Sequence, residues 1–339
     1  MESPGEMMAR GSSTLYLSGP ENGNELFRWV DDRLVQAWRD TPGGTLRQGA
    51  IYLGRVVKIE ASLNAAFVDI GLERPGLLPL KKQGIPTEGE SLIVQVKREA
   101  REEKGVRLSI SLATTVDVLA LRVGKTAPCC LVPPPETWQT TLRALSPQAI
   151  DAVICGRRID AERIAAWCRQ QVPEIADRVG HQPLRDWSPS RGEAIDAIAE
   201  ALEDEVVLPG GGTLLVEPVR TLTAIDVNSA AATGRSGIEQ TALAVNLAAA
   251  AEVPRQLALR NLGGIIVVDF IDVQNRNKRD QIINVLREAV GLDPAIEWVG
   301  NMSRLGLVEM LRKRSGLTLA EMWGSVLNAE STSETRSHV

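Results

Sequence analysis

Histidine, aromatic residues and paired cysteines are scarce in this chain of 339 residues. It contains 2 histidines, 2 tyrosines and 3 phenylalanines, and aromatic residues make up 4% of the total. One histidine, His181, lies in a loop-like stretch before Pro183. The chain therefore offers almost no histidine side chains for acid–base catalysis. The 4 cysteines include no C-x-x-C pair, which excludes the spacing of a zinc knuckle and predicts free, buried thiols.

Long apolar runs and a strong net charge are also missing. No run reaches the length that spans a membrane, and the first residues, MESPGEMMARGSS, lack the basic start and apolar core of a signal peptide. The sequence thus predicts a cytoplasmic protein with a disordered lead-in and no membrane partner. A formal net charge of −5 argues against nonspecific coating of nucleic acid, although local basic patches can still bind RNA.

Two apolar runs each carry an aspartate inside. Asp226 stands in TAIDVN and Asp269 in IIVVDFI. A buried carboxylate costs several kcal/mol unless it is paired or holds a metal. Strand-end aspartates also cap turns and helices, and for one such site alone that is the better explanation. Two sites joined by one helical crossover favour neighbouring strands whose aspartates converge on a divalent metal.

Two further polar residues flank this pair. Asn228 follows Asp226 by two positions, so in a strand it shares the face of Asp226 and could hydrogen-bond a carboxylate or the water shell of a metal. Asp272 lies three positions after Asp269, which in a strand places it on the opposite face. We therefore expect Asp272 to be a supporting carboxylate.

Several long segments closely resemble the ribonuclease E/G family of bacterial endoribonucleases. They are IDVNSA, IEQTALAVNLAAAAEVPRQLALRNLGGIIVVDFID, MSRLGLVEMLRKR and, upstream, GRVVKIEASLNAAFVDIGLERPGLLPL. The resemblance runs from about Ile51 to Leu319 and is weak in the middle. It implies endonucleolytic cutting of single-stranded RNA to 5′-phosphate and 3′-hydroxyl ends, in RNA processing or decay. It also implies that Asp226 and Asp269 bind Mg²⁺, with Mn²⁺ as a possible substitute, and that Asn228 orients Asp226 or the water shell.

The same resemblance implies an α+β multidomain fold. An S1 domain, which is an OB-type β-barrel, would be inserted in a ribonuclease H-like subdomain and followed by a DNase I-like α/β subdomain. The expected segments are 1–48 (lead-in and N-terminal strands), 49–113 (S1), 114–204 (divergent sensor-like region), 205–262 (ribonuclease H-like), 263–325 (DNase I-like) and 326–339 (disordered tail).

The barrel is also predicted from the residues themselves. Five short strands separated by turn residues fit between Gly49 and Leu112, as in OB folds, which bind single strands with a basic groove and stacked aromatics. Lys58 and Arg107 are basic candidates. Phe67 resembles the family's base-stacking phenylalanine and Lys104 a lysine it uses on RNA. Without the resemblance, a position in the barrel core is an equally good explanation of Phe67. Leu77 stands at the family's second aromatic position, so one stacking platform is absent.

Further basic candidates lie near the aspartates. Arg235 stands in the loop 230–237 beside Asp226, and Arg276 and Lys278 begin a basic cluster after Asp272. They can meet the RNA backbone, or they can form solvated helix starts. Helices are predicted for Glu193–Asp204, Ile238–Arg260 with a bend or break at Pro254, Gln281–Val290 and Arg304–Arg314. A further helix is predicted at IDAERIAAWCRQQV, with Asp160 as its N-cap.

Some features of the family are missing. The family's pocket for a 5′-phosphate uses an Arg-Thr pair that is absent here. Arg157 and Arg158 are the nearest substitutes, and Ile296 stands where a second arginine is expected. We therefore expect no 5′-end sensing. No C-P-x-C pair follows the last matching helix, so we expect no structural zinc, no zinc-linked tetramer, and a monomer or weak dimer.

Two other functions fit these residues. One is a weakly active or inactive RNA-binding protein of the same fold, which the missing pocket and Leu77 would suit. The other is a metal phosphodiesterase acting on another nucleic acid, for example DNA. The joint presence of Asp226, Asn228 and Asp269 favours the endoribonuclease.

Overall fold

Two units of the chain were distinguished in a computed structural model of the protein. It describes residues 13–19, 24–39, 48–80, 85–98, 105–113, 117–229, 238–291, 293–313 and 316–336. The first unit comprises residues 1–42 and 141–339, and the second comprises residues 43–140. In chain order, the second unit is therefore an insertion in the first. Each helix among the described residues is too short or too polar to span a lipid bilayer.

The strands and helices of the described residues are numbered here in chain order. The strands are β1 (Ser13–Leu17), β2 (Leu26–Val30), β3 (Arg33–Trp38), β4 (Ile51–Glu60), β5 (Ala65–Asp69), β6 (Gly76–Pro79), β7 (Ser91–Arg98), β8 (Arg107–Ser109), β9 (Cys129–Val132), β10 (Ala152–Cys155), β11 (Val179–His181), β12 (Glu205–Val207), β13 (Thr213–Pro218), β14 (Thr223–Asn228), β15 (Gly264–Asp269), β16 (Ile296–Val299) and β17 (Leu307–Arg312). The α-helices are α1 (Val118–Arg122), α2 (Thr137–Ala144), α3 (Arg158–Gln171), α4 (Arg191–Glu200), α5 (Ile238–Leu259), α6 (Arg276–Val290) and α7 (Leu319–Arg336).

Strands β4 to β8 form a closed five-stranded barrel in the inserted unit. Its order is β5-β6-β8-β7-β4, and pairing of β4 with β5 closes it. Alternate apolar residues such as Val56, Val68 and Val96 fill the interior. This confirms a barrel of the OB/S1 type. Strand β9 adds to β4 and extends the unit beyond the predicted end at residue 113.

A five-stranded sheet of the first unit has the order β11-β10-β1-β2-β3. The sequence predicted N-terminal strands within residues 1–48, and Phe27 and Trp29 of β2 are buried in one core with Trp323 of α7. Strands β10 and β11 come from the region 114–204, so part of this divergent region completes the N-terminal sheet.

The third sheet carries the two aspartates. Its order is β12-β13-β14-β15-β17-β16, in which β14 and β15 are parallel neighbours connected through α5. Helices α5 and α6 contribute Val245, Leu257 and Leu286 to the core that covers one face of the sheet. Both β14 and β15 belong to this sheet, so the predicted boundary between 205–262 and 263–325 falls inside one sheet.

Several helix predictions need correction. The prediction of a helix at Arg304–Arg314 is wrong, because Leu307–Arg312 form strand β17, in which Val308, Met310 and Arg312 are buried at a period of two. Helix α5 continues through Pro254 without a break. Asp160 lies in the first turn of α3, and its N-cap position is Arg157.

Helix boundaries also differ from the prediction, and the helix predicted for Glu193–Asp204 is α4, Arg191–Glu200. Helix α6 begins five residues earlier than predicted, because the Asn275 side chain accepts hydrogen bonds from the backbone N–H groups of Asn277 and Lys278 and caps it. Helix α7 reaches Arg336, so residues 326–336 are helical where a disordered tail was predicted.

Candidate active site

Asp226 and Asp269 lie directly beside each other on parallel strands. The register pairs them across β14 and β15, and Asp269 is the last residue of its strand. Their chain neighbours Ile225, Val227 and Val268 point to the opposite face, into the core beneath α5 and α6. The sequence prediction of adjacent strands with converging aspartates is confirmed. Ligand sites of open α/β sheets lie at this carboxyl end of the strands.

Both aspartates are exposed, which corrects the expectation that they are buried. Among the described residues, helices α5 and α6 cover one face of this sheet, and alternate residues of each β-branched run reach solvent on the other. The desolvation cost therefore gives no argument for a metal. What remains is the proximity of two like charges, which a divalent cation between them would relieve.

Asn228 lies on the same face as Asp226, as predicted from its spacing. Its Nδ2 donates a hydrogen bond of 2.8 Å to Oδ2 of Asp226. One oxygen of Asp226 is thus held by the amide, which limits rotation of the carboxylate. Asn228 acts on Asp226 in this geometry rather than directly on Asp269.

Gly306 keeps space open beside the pair. Its φ of +86° favours glycine, and a Cβ there would lie 3.0 Å from the carbonyl oxygen of Phe270 and 3.9 Å from Oδ1 of Asp269. Phe270 N donates to the Gly306 carbonyl, so the turn before β17 is fixed to the end of β15. Any larger residue at 306 would intrude on the outer side of Asp269.

Asn246 of α5 was not singled out by the sequence reasoning, yet it positions this edge of the sheet. It is fully buried, its Nδ2 donates to the Ile271 carbonyl at 2.8 Å, and its Oδ1 accepts from Ile271 N at 3.0 Å. The backbone two residues after Asp269 is therefore clamped to the helix. The signal available in the sequence was one asparagine within the apolar run ALAVNLAAAA.

Asp272 lies beyond the end of β15, so the assumption of a strand at this position was wrong. The exposed Asp272 carboxylate accepts a hydrogen bond from Nη2 of Arg279 at 3.2 Å. Arg279 also donates to the carbonyl of Val273. These contacts hold the loop that leads into α6 and leave Asp272 outside the aspartate pair, and its supporting role at the site stays a prediction.

The basic candidates near the pair differ in their surroundings. Arg276 is exposed at the start of α6, whereas Lys278 is partly buried and forms an ion pair of 3.3 Å with Glu239 of α5. The ion pair connects the beginnings of the two helices. Arg235 lies outside the described residues, so its predicted contact with phosphate stays a prediction.

A row of outward-facing side chains crosses the barrel. Strand register places Lys58 beside Phe67, Phe67 beside Leu77, and Leu77 beside Arg107. Phe67 is partly exposed, while its neighbours Ala66 and Val68 are buried. The ring therefore lies on the outer surface and is not a core residue. Lys104 lies outside the described residues.

Lys58, at one end of this row, is exposed and has an acidic partner. Its Nζ lies 2.9 Å from the carboxylate of Glu60, and the hydrogen bond to Glu60 raises the pKa of the lysine. Lys58 thus stays charged, and the neighbouring carboxylate partly offsets its field.

A divalent cation fits the aspartate pair by charge and by space. In the described part of the chain, no three His, Cys, Asp or Glu side chains form a metal-binding group, and the candidate site offers the two carboxylates of Asp226 and Asp269. Mg²⁺ keeps several waters and needs only one or two protein carboxylates. Exposure of both aspartates and the absence of a side chain at Gly306 leave room for that hydration shell.

These features define an α/β protein with an inserted OB-type barrel and a carboxylate pair at the end of two parallel strands. A family model described as "Ribonuclease E/G family" matches residues 77–315. The chain belongs to the ribonuclease E/G family, which confirms the resemblance read from its motifs.

Individual relatives agree with this assignment. The chain is 32% identical to ribonuclease E of Haemophilus influenzae over 85% of its length and 40% of the relative. It is 32% identical to ribonuclease E of Escherichia coli K12 over 85% of its length and 35% of the relative. Ribonuclease G of Escherichia coli K12 is 34% identical over 52% of the chain and 36% of that protein. The chain thus spans well under half the length of these relatives.

Proposed function

We propose that the chain is a divalent-metal-dependent endoribonuclease that cuts single-stranded RNA in RNA processing or decay. The observation that carries this proposal is the register of Asp226 and Asp269, side by side and exposed at the carboxyl end of parallel strands. Membership in a family whose named relatives are ribonucleases supports the choice of RNA. Mg²⁺ is the proposed cation, with Mn²⁺ as a substitute, and the products carry 5′-phosphate and 3′-hydroxyl ends.

Each residue at this site has its own proposed role in cleavage. Asp226 and Asp269 would hold the cation, and Asn228 fixes the orientation of Asp226 through its hydrogen bond. When bound, the cation supplies charge neutralisation at the phosphate and acidifies a water. Asn246 and Gly306 keep the end of β15 in place and open. Arg276 is exposed on the following helix and is available to the RNA backbone.

The experiment that tests this function compares labelled RNA and DNA oligonucleotides of one sequence. We expect RNA cleavage in Mg²⁺ and in Mn²⁺, no cleavage in EDTA, and slower or no cleavage of DNA. Binding of RNA without cleavage under all conditions would instead identify an RNA-binding protein of the same fold. Equal cleavage of DNA would identify a general phosphodiesterase.

Phe67→Ala is expected to weaken binding of single-stranded RNA by about 1–3 kcal/mol, the contribution of one stacked base. The ring is partly exposed on the outer face of β5, so its removal leaves the barrel interior intact. Affinity is measured by fluorescence anisotropy in EDTA, with Leu63→Ala as the control for loss of another exposed apolar side chain. Unfolding of the Phe67 variant, seen by circular dichroism, would contradict the stacking role.

We also propose that cleavage does not depend on the 5′ end. Arg157 binds both oxygens of Asp160, at 2.7 and 3.1 Å, so its guanidinium is already engaged by a carboxylate. Ile296, at the position expected for a second arginine, packs against the apolar core of the sheet. One RNA carrying a 5′-monophosphate or a 5′-hydroxyl should be cut at equal rates at the same salt concentration. A monophosphate advantage of about tenfold, or 1.4 kcal/mol, would contradict this.

A further inference from the structure

The face of the six-stranded sheet that carries the aspartates also carries an exposed apolar row. Strand register pairs Trp298 with Leu311 and Leu311 with Ile265. Their exposures are 52%, 39% and 53%. Large apolar side chains this exposed, in register on three adjacent strands, are unusual for a surface with no binding role.

Gly300 fixes the position of the Trp298 ring. A Cβ at Gly300 would lie 2.9 Å from Cη2 and 3.4 Å from Cζ2 of Trp298, so the six-membered ring lies against the Gly300 backbone. Gly300 N donates to the carbonyl of Glu309 at 2.8 Å. Because residue 300 has no side chain, the indole of Trp298 lies along the sheet in a defined position, while about half of the Trp298 surface stays exposed to solvent.

Because the Trp298 ring lies against Gly300, it is closer to the aspartates than the Trp298 backbone is. Glu309 pairs with Val267, which precedes Asp269 by two residues on the same face. Two residues along a strand and two strand spacings across the sheet separate the ring from Asp269 by about 12 Å. A short stretch of single-stranded RNA can bridge that span.

We propose that Trp298 is a stacking platform for one base of the RNA strand that is cut at Asp226 and Asp269. This proposal rests on the proposed function, because it extends the same substrate site. Stacking on an aromatic face is tolerant of base identity, because every base has a π-face. Glu309 is exposed near the ring, and a carboxylate there disfavours phosphate and favours a neutral base facing the sheet.

A second copy of the chain fits this surface less well. A stable interface buries about 800 Å² on each partner, whereas the apolar row consists of three side chains. Two copies would also bring the carboxylates of Asp226, Asp269 and Glu309 towards one another. One base, by contrast, needs only one exposed aromatic face.

The test uses RNA oligonucleotides in which one nucleotide at a time lacks its base, scanned on both sides of the cut. For the wild type, base loss at one position within a few nucleotides of the cut should lower kcat/KM at least fivefold, the equivalent of about 1 kcal/mol. Trp298→Ala should lower kcat/KM on the intact RNA by a similar factor, mainly through KM. Base loss at that position should then have no further effect. Trp298→Phe should restore most of the loss.

Ile159→Ala, which removes an exposed apolar side chain from α3, is the matched control and should behave as the wild type. Two results with Trp298→Ala would overturn the proposal. In the first, the variant loses as much kcat/KM as the wild type when the base at that position is removed. In the second, the variant cuts every RNA at the wild-type rate. A wild-type dimer that Trp298→Ala converts to monomer without changing cleavage would also overturn the proposal. Fluorescence anisotropy with the same oligonucleotides in EDTA measures the contribution of the stacked base to RNA affinity in the absence of catalysis. A failure of the proposed function therefore remains distinguishable from a failure of Trp298.

Discussion

Asp226→Asn and Asp269→Asn should each lower the rate of RNA cleavage at least 100-fold, the order seen when one stabilising group of a transition state is removed. Each substitution keeps the shape of the side chain and removes one of the two charges that would hold the cation. Single-turnover cleavage in Mg²⁺ measures the loss. RNA affinity in EDTA should barely change, because without the cation these carboxylates make no favourable contact with RNA.

The fold of both variants should be intact, because both side chains are exposed. Glu217→Gln is the matched control. Glu217 is an exposed acid on β13 and pairs with Ala224, two residues before Asp226, so the control removes a charge from the same sheet face without touching the pair. Cleavage at the wild-type rate by either asparagine variant would refute the site.

The second large effect concerns stability. Asp293→Ala should lower the free energy of unfolding by about 3–5 kcal/mol, as expected when one partner of a buried ion pair is lost. Arg312 and Asp293 are 3% and 8% exposed, and Nε of Arg312 donates to Asp293 Oδ2 at 2.7 Å. The same guanidinium donates to the Leu262 carbonyl at 2.8 Å, so it cannot turn to solvent without breaking the end of the sheet.

Arg28 adds to the loss of unfolding free energy that is expected for Asp293→Ala. Burial lowers the pKa of Arg28 to about 10, and the charge of Asp293 opposes that lowering. Loss of Asp293 thus leaves a second buried cation less well compensated. Urea unfolding measures the effect, and the double variant Asp293→Leu with Arg312→Met should be more stable than Asp293→Ala. If Asp293→Ala lowers the free energy of unfolding by less than about 1 kcal/mol, the stabilising role of the charges of Asp293, Arg312 and Arg28 is contradicted.

The aspartate pair was predictable because strand periodicity and chain order fix it. Each run has one aspartate at a set distance from its end, and one helical crossover makes the strands parallel neighbours. The exposure of both residues was not predictable, because a run such as IIVVDFI does not show which of its side chains face the helices and which face solvent. The barrel was predicted from five short strands, whereas β9 lies too far along the chain to be assigned from local pattern.

Strand β17 shows why local pattern fails elsewhere. LVEMLR places apolar residues at spacings that satisfy both a helix and a strand, so the local pattern does not decide between them. Pairing with β15 and β16 on either side decides the outcome, and that pairing is a tertiary property. The exposed Trp298 depends in the same way on register with β17 and on the backbone at Gly300.

Binding of Mn²⁺ to the protein, followed by electron paramagnetic resonance, tests the central assignment most directly. The wild type is predicted to bind Mn²⁺ in a manner that Mg²⁺ displaces. Asp226→Asn and Asp269→Asn are each predicted to lose at least tenfold in affinity, while Glu217→Gln keeps it. Equal Mn²⁺ binding by the wild type and both asparagine variants would show that the cation does not sit between Asp226 and Asp269.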